Sequence, residues 1–315
     1  MEVEAQPKPQ RLPRFRRAAV PPAFRLTEDD VRIVRLVARY RFVQSTHIAS
    51  LVGRSLDRTN DRLRLLFHAG YLDRPRAQLD YYPSTGSAPM VYALADKGAR
   101  LLAQDDPAKG GTEWSRRNRE AGRPFIEHQL GVMDFQVALQ LGVQRQPDLE
   151  LISAEELIAS FPSTPSAKRN PFALHARLPQ SGLLHAVAVI PDLAFGLRFR
   201  DGSRRCFMVE IDRGTMPVSR TDIRQTSIDR KLRSYLAAYA ERQHEKRFGW
   251  KTFRVLFVVP DEGRLEAMTE VARSDSALSG VGGSLFLFAA LGALQKVDPI
   301  GCGWRSGGRT VWLHR

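Results

Sequence analysis

Three acids stand where one sheet edge could collect them. Pro191-Asp192 follows the apolar run Leu184–Ile190, and Glu210-Ile211-Asp212 closes the run that begins at Cys206. Between the two lie Leu193–Phe199 and an Asp201-Gly202 pair. An Asp-Gly pair between two β-like runs predicts a hairpin. A hairpin turning near Asp201 returns the acidic clusters side by side. Side chains alternate along a strand, so Glu210 and Asp212 share a face. Carboxylates converging there offer hard oxygen ligands to Mg²⁺, an ion that keeps waters for chemistry and offsets charge developing on a phosphodiester. Asp192, Glu210 and Asp212 are therefore the candidate metal ligands and catalytic acids. Each also has a plainer reading: Pro-Asp as a turn, Glu210 and Asp212 as partners for Arg.

The surrounding pattern is one of alternating elements. Phe125–Leu141 has Ile126, Leu130, Met133, Val137 and Leu141 at helical spacing, and Leu149–Ala154 reads as a strand. Thr221–Arg247 reads as one long helix with Ile228, Leu232, Tyr235, Leu236 and Tyr239 inward. Phe253–Val259 is almost wholly apolar, as in the centre of a covered sheet. From residue 124 to 315 the expectation is an α/β domain of the restriction-endonuclease kind.

The order of helix, strand, Pro-Asp, hairpin, Glu-x-Asp, helix and apolar strand resembles the PD-(D/E)xK nuclease pattern. That family carries Lys two residues after its second acid, where this chain has Asp212. In some members the lysine sits on the following helix, which makes Lys231, at the edge of the buried stripe, the matching candidate. Related folds supply a further acid from the first long helix, and Glu127, beside His128, is placed there. A solvated basic face shared with Arg230 and Arg233 is the plainer reading of Lys231.

The N-terminal half predicts a winged helix-turn-helix over residues 25–103. Thr27 before Glu28-Asp29-Asp30 is an N-cap signal with acids at the positive helix end. Ser45–Val52 and Ser55–Ala69 read as the next two helices, ended by Gly53 and Gly70. Tyr71-Leu72 and Met90–Leu94 read as a hairpin, and Asp96-Lys97-Gly98 opens a closing helix. Arg58, Asn60, Asp61 and Arg64 lie off the core stripe of the third helix, with Arg54 just before it. On a recognition helix, Arg favours guanine and Asn adenine. Arg74, Arg76, Tyr81 and Tyr82 would lie on the wing, near phosphates. Protein contacts are the alternative use of such a domain. Residues 1–24, Pro-rich and basic, read as a disordered arm, and 104–123 as a linker.

Composition agrees with a polyanion partner. Forty-eight Lys and Arg against 34 Asp and Glu leave a net charge of +14, which attracts phosphate backbones; an Arg-rich proteome is the bland alternative. Two cysteines without a CxxC exclude a structural zinc site. No P-loop, no GxGxxG after a strand and no HUH-type His pair is present, and Tyr235 and Tyr239 have core spacing. No apolar run reaches membrane length, no signal-like segment opens the chain, and a cytoplasmic location is expected.

The opening LTEDDVRIVRLVARYRFVQSTHIASLV, the FIEHQLGVMDF stretch (125–135), Pro191-Asp192, the EIDRGT segment (210–215) and Lys231-x₃-Tyr235 together resemble the replication-relaxation family of plasmid and mobile-element proteins. The resemblance spans roughly residues 25–300. It implies a role in plasmid replication or DNA relaxation and a double-stranded DNA partner, without establishing catalysis. Two readings stand: a Mg²⁺-dependent DNA nickase or nuclease, and a non-catalytic replication or transcription factor with a degenerate nuclease-like scaffold. A homodimer and replication or conjugation proteins are the other expected partners.

Overall fold

The computed structural model describes residues 12–79, 88–105, 113–163, 170–180, 182–218, 220, 227–274 and 282–315. The chain divides into two compact units, Met1–Val137 and Ala138–Arg315.

Unit 1 opens with α1 (Glu28–Tyr40), capped reciprocally by Thr27 and Asp30. β1 (Phe42–Gln44), α2 (Ser45–Val52) and α3 (Leu56–His68) follow, then β2 (Leu72–Asp73) and β3 (Val91–Leu94). β3 lies between β1 and β2, antiparallel to both. Val34, Val37, Ile48, Leu63, Leu66 and Phe67 are buried, as their helical spacing predicts, together with Ile33, whereas Leu56, whose spacing also places it on the core stripe of α3, is 41% exposed. β1 was not foreseen, since three residues are too few to show alternation. α4 (Asp96–Ala103) needs glycine at position 98: a Cβ there would sit 2.3 Å from the Tyr71 carbonyl oxygen.

Asp30 illustrates how charge is buried here. It is fully buried and accepts from Arg62 Nε at 2.9 Å, from Thr27 N at 2.8 Å and from Thr27 Oγ1 at 2.7 Å. Burial raises its pKa, but the bonds from Arg62 and Thr27 outweigh that and hold it below 3.8. The contribution to stability is therefore present above pH 3.8 and lost as pH falls through the lower folded value. Asp30→Ala strands Arg62 and removes one half of the capping box of α1, and should cost about 3 kcal/mol in urea unfolding at pH 7. A cost below about 1 kcal/mol would contradict this account of the pair.

Two expectations for this half are corrected. Of the disordered arm 1–24, residues 12–24 are described and part of them packs on unit 1: Arg17 donates to the Phe67 and Leu72 carbonyls at 3.0 and 3.1 Å and pairs with Asp73 at 2.6 Å. Charge and carbonyl capping do there what apolar burial could not. The expected linker 104–123 contains α5 (Trp114–Glu120), tied down by buried Asn118, whose Nδ2 donates to Leu94 O at 2.8 Å and Asp73 Oδ2 at 3.1 Å. α6 (Arg123–Gln144) follows, with Ile126 packed among Phe42, Val91, Ala93 and Ala121. The unit boundary consequently falls within α6, not at residue 124. Tyr81 and Tyr82 lie outside the described residues.

Unit 2 is built on a seven-stranded mixed sheet. Its strands are β4 (Leu149–Ile152), β7 (Leu193–Phe199), β8 (Arg204–Ile211), β9 (Arg254–Val259), β10 (Phe286–Ala290), β11 (Trp304–Ser306) and β12 (Arg309–Val311), ordered β12-β11-β10-β9-β8-β7-β4. β7 and β8 form the expected antiparallel hairpin, while β9 runs parallel to both β8 and β10. Central β9 is buried from Val255 to Val259, as its apolar run foretold. α7 (Ala154–Ala159) follows β4, and β5 (Leu174–Gln180) and β6 (Leu183–Val189) make a separate two-stranded sheet. The strand before Pro191 thus does not belong to the main sheet. The single helix expected over 221–247 is α8 (Ile228–Ala240) and α9 (Gln243–Phe248); residues 221–226 lie outside the described set. The break comes at Arg242, which stands in left-handed backbone (φ 54°) and forms an exposed ion pair with Glu245. α10 (Glu262–Ser274) packs against β9, β10 and α8.

Candidate functional site

Two places hold the residues singled out above, one in each unit. In unit 2 the hairpin brings Asp192 to the mouth of β7, across from the end of β8. Asp192 N donates to Val209 O at 2.9 Å, and its Oδ2 accepts from Ile211 N at 2.8 Å. Glu210 is 1% exposed. Tyr235 OH donates to its Oε1 at 2.7 Å, and Lys231 Nζ donates to its Oε2. Lys231 and Tyr235 stand four apart on α8, one turn, and so reach the same carboxylate. Ser227 starts that helix correctly by accepting from Arg230 N at 3.2 Å.

Asp212 turns to another partner. Arg264, in the first turn of α10, donates from Nε to Oδ2 at 2.7 Å and from a terminal nitrogen to Oδ1 at 3.3 Å. The same guanidinium donates to Met216 O, fastening the segment after β8. Within that segment Gly214 has φ 73° and donates to Asp212 Oδ1 at 3.2 Å, a tight turn that favours glycine.

The electrostatics follow from burial. Desolvation pushes Glu210 up to about 7, Lys231 opposes the rise, and Asp192 adds to it. Burial lowers Lys231, but the carboxylates of Glu210, Asp192 and Asp212 outweigh it and raise the ammonium above its ordinary value. Tyr235 is pushed well above the phenol range by burial and then by Glu210. This corner can hold a proton between a buried acid and a lysine near neutral pH.

It does not present a ready metal cage. Both oxygens of Glu210 are engaged by Lys231 and Tyr235, and both oxygens of Asp212 by Arg264. Among the described residues, no group of three or more His, Cys, Asp or Glu is arranged to hold a metal ion. The donors present do not fit Mg²⁺, which wants several available anionic oxygens. Glu127 lies in unit 1, where it pairs with Arg123 at 2.8 Å.

The second place is the outer face of α3. Arg58, Asn60, Asp61 and Arg64 are exposed there, while Thr59, Leu63, Leu66 and Phe67 are buried behind them. Arg64 contacts Asp61 within the helix at 3.4 Å. Arg76 is exposed on the short 3₁₀ turn Arg76–Gln78. Arg54 is exposed, as expected, and Arg74 is drawn inward, away from the expected wing contact. Arg54 pairs with Asp29. Arg74 lies over the rings of Phe67 and Tyr92 (4.4 and 5.1 Å to the centroids) and donates to Tyr92 OH at 3.0 Å.

The sequence profile of the replication-relaxation family matches residues 34–252, more than two thirds of the chain. The chain belongs to the replication-relaxation family. Membership points to a role in replication or relaxation of plasmid or mobile-element DNA. No curated protein and no solved structure matches it. The match includes α3, Asp192, Glu210, Asp212, Lys231 and Tyr235, but stops before Arg264. Two residues complete the corner beyond the expected acids and lysine, Tyr235 and Arg264. Tyr235 is core, as its helical spacing predicts, and its hydroxyl in addition donates to Glu210; the one-turn spacing from Lys231 is the signal for that second role. Arg264 had none, since 52 residues separate it from Asp212. Among the described residues no helix is long and apolar enough to cross a membrane.

Proposed function

We propose that the chain is a DNA-binding factor of plasmid or mobile-element replication or relaxation, gripping duplex DNA with a winged-helix unit 1. The observation that carries this reading is the two-sidedness of α3: a buried apolar stripe and an outward face of Arg58, Asn60 and Arg64. Three helices and a three-stranded antiparallel sheet are the winged-helix arrangement, whose third helix enters a major groove. Arg and Asn are the side chains that read guanine and adenine edges. A net charge of +14 adds sequence-independent affinity for phosphate. In unit 2 the corner of Glu210, Lys231 and Asp212 then acts as an internal lock on a nuclease-like scaffold. The test is a gel shift of the full chain on duplex from the element's own origin, with unrelated duplex as competitor. Retarded origin DNA that outlasts competitor is expected, and its absence would overturn the reading.

A second reading is favoured by one observation, the meeting of Asp192, Glu210 and Lys231 in the order that nuclease folds use. It makes the corner a site of strand cleavage. Supercoiled plasmid carrying the origin should be incubated with the protein in Mg²⁺, Mn²⁺ or EDTA, beside Glu210→Ala. Intact plasmid in every lane, with DNA still bound, is the result expected from the lock. A nick that needs both metal and Glu210 would replace the lock with a nuclease.

A further inference from the structure

The beginning of the chain converges on the C-terminal end of α3 with an excess of positive charge. Arg17 spreads its guanidinium over three acceptors, Phe67 O, Leu72 O and Asp73. Phe67 O is among the last carbonyls of α3, where a cation is favoured. The neighbouring backbone is held as well: Ala18 N donates to His68 Nδ1 at 3.1 Å, and the Arg14 carbonyl accepts from Arg74 at 2.7 Å. Arg17 and Arg74 both lie over the Phe67 ring, at 5.5 and 4.4 Å from its centroid. Pinned in this way, the segment leaves Arg14 and Arg16 exposed, next to the helix that carries Arg64.

Cations outnumber acids around this point: Arg14, Arg16, Arg17, Arg64 and Arg74 stand against Asp73 and Asp61. Burial depresses Arg74 and His68, and Arg14, Arg64 and Arg17 add to it as like charges. Asp73 is the acid that the pinned segment meets. Folding gains nothing from gathering like charges, whereas a polyanion does. Flexible tails contribute little to such a site because binding must order them, but a segment already tied by five hydrogen bonds has met that cost.

We infer that the pinned segment around Arg14 and Arg16 is a second grip on the phosphate backbone of duplex DNA, extending the α3 face past its C-terminal end. This rests on the reading of unit 1 as a DNA-binding unit. Arg17 is the positioning residue and makes no DNA contact itself.

The experiment is a fluorescence-anisotropy titration of the full chain into a labelled duplex, from about 50 to 200 mM KCl. Arg14→Ala/Arg16→Ala should weaken binding about tenfold and flatten the slope of log K against log salt by about 1 to 2. Arg17→Lys keeps the charge but removes the fork that reaches three acceptors. It should weaken binding similarly and make the first 20 residues cleave faster under limited trypsin at constant far-UV circular dichroism. Unchanged affinity and slope in the double variant, with the wild type binding, would overturn the second grip alone. So would Arg17→Lys that binds like the wild type. A wild type that binds no duplex would remove the reading of unit 1 on which the inference stands.

Discussion

Lys231→Ala is expected to be the most destabilising single change in unit 2. Removing one partner of a buried pair leaves an uncompensated carboxylate, at a cost of about 3–5 kcal/mol. The deficit must depend on pH. Glu210 has a folded pKa of about 7, above the ordinary 4.5, so its contribution is complete below 4.5 and is lost as pH rises through 7. Without Lys231 the folded pKa climbs further, and the deficit of the variant should be largest near pH 8 and shrink below pH 6. Glu210→Gln/Lys231→Met, which carries neither charge, should recover most of the loss. Urea unfolding followed by tryptophan fluorescence suits the purpose, because Trp250, Trp304 and Trp312 all lie in unit 2. A variant as stable as the wild type at pH 8, or a deficit that ignores pH, would contradict the lock.

Arg58→Ala/Asn60→Ala/Arg64→Ala should lower duplex affinity roughly 100-fold or more while unit 1 keeps its fold. Each well-formed contact to a base is worth about 1–3 kcal/mol, and the three side chains are exposed, so truncation opens no cavity. The single variants should separate in kind. Asn60→Ala should reduce the preference for origin over competitor more than it reduces total affinity. Arg64→Ala should weaken both alike if its partner is phosphate. Affinity within twofold of the wild type for the triple variant would move the DNA-binding face elsewhere.

Legibility differed between the two sites for physical reasons. Helical stripes with end signals, as in α1, α2 and α3, were readable because capping and periodicity are local. So was the β7–β8 hairpin, since Asp201-Gly202 marks its turn, and with it the approach of Asp192 to Glu210. The single helix expected over 221–247 breaks at Arg242, a left-handed residue that is not a glycine and so leaves no stop signal in the sequence. β5 does alternate, with Leu174, Ala176 and Leu178 buried between exposed neighbours, and was legible; β11 and β12, three residues each, are too short to show a pattern. The metal-ligand reading of Asp212 could not anticipate Arg264, a partner from an element 52 residues away. Residues 12–18 looked too polar to fold, yet carbonyl and carboxylate acceptors at the end of α3 hold them. Composition reports apolar burial and is silent about such capping.

The central claim, that α3 lies against DNA, is tested most directly by crosslinking from the helix itself. In a Cys206→Ser/Cys302→Ser background, Asn60→Cys is labelled with a benzophenone maleimide and irradiated with radiolabelled origin duplex. Gln104→Cys, exposed at the end of α4, serves as the comparison. The account predicts a covalent protein–DNA band from position 60, competed by unlabelled origin duplex, and none from position 104. No band from position 60 under conditions where the gel shift shows complex, or equal bands from both positions, would contradict it.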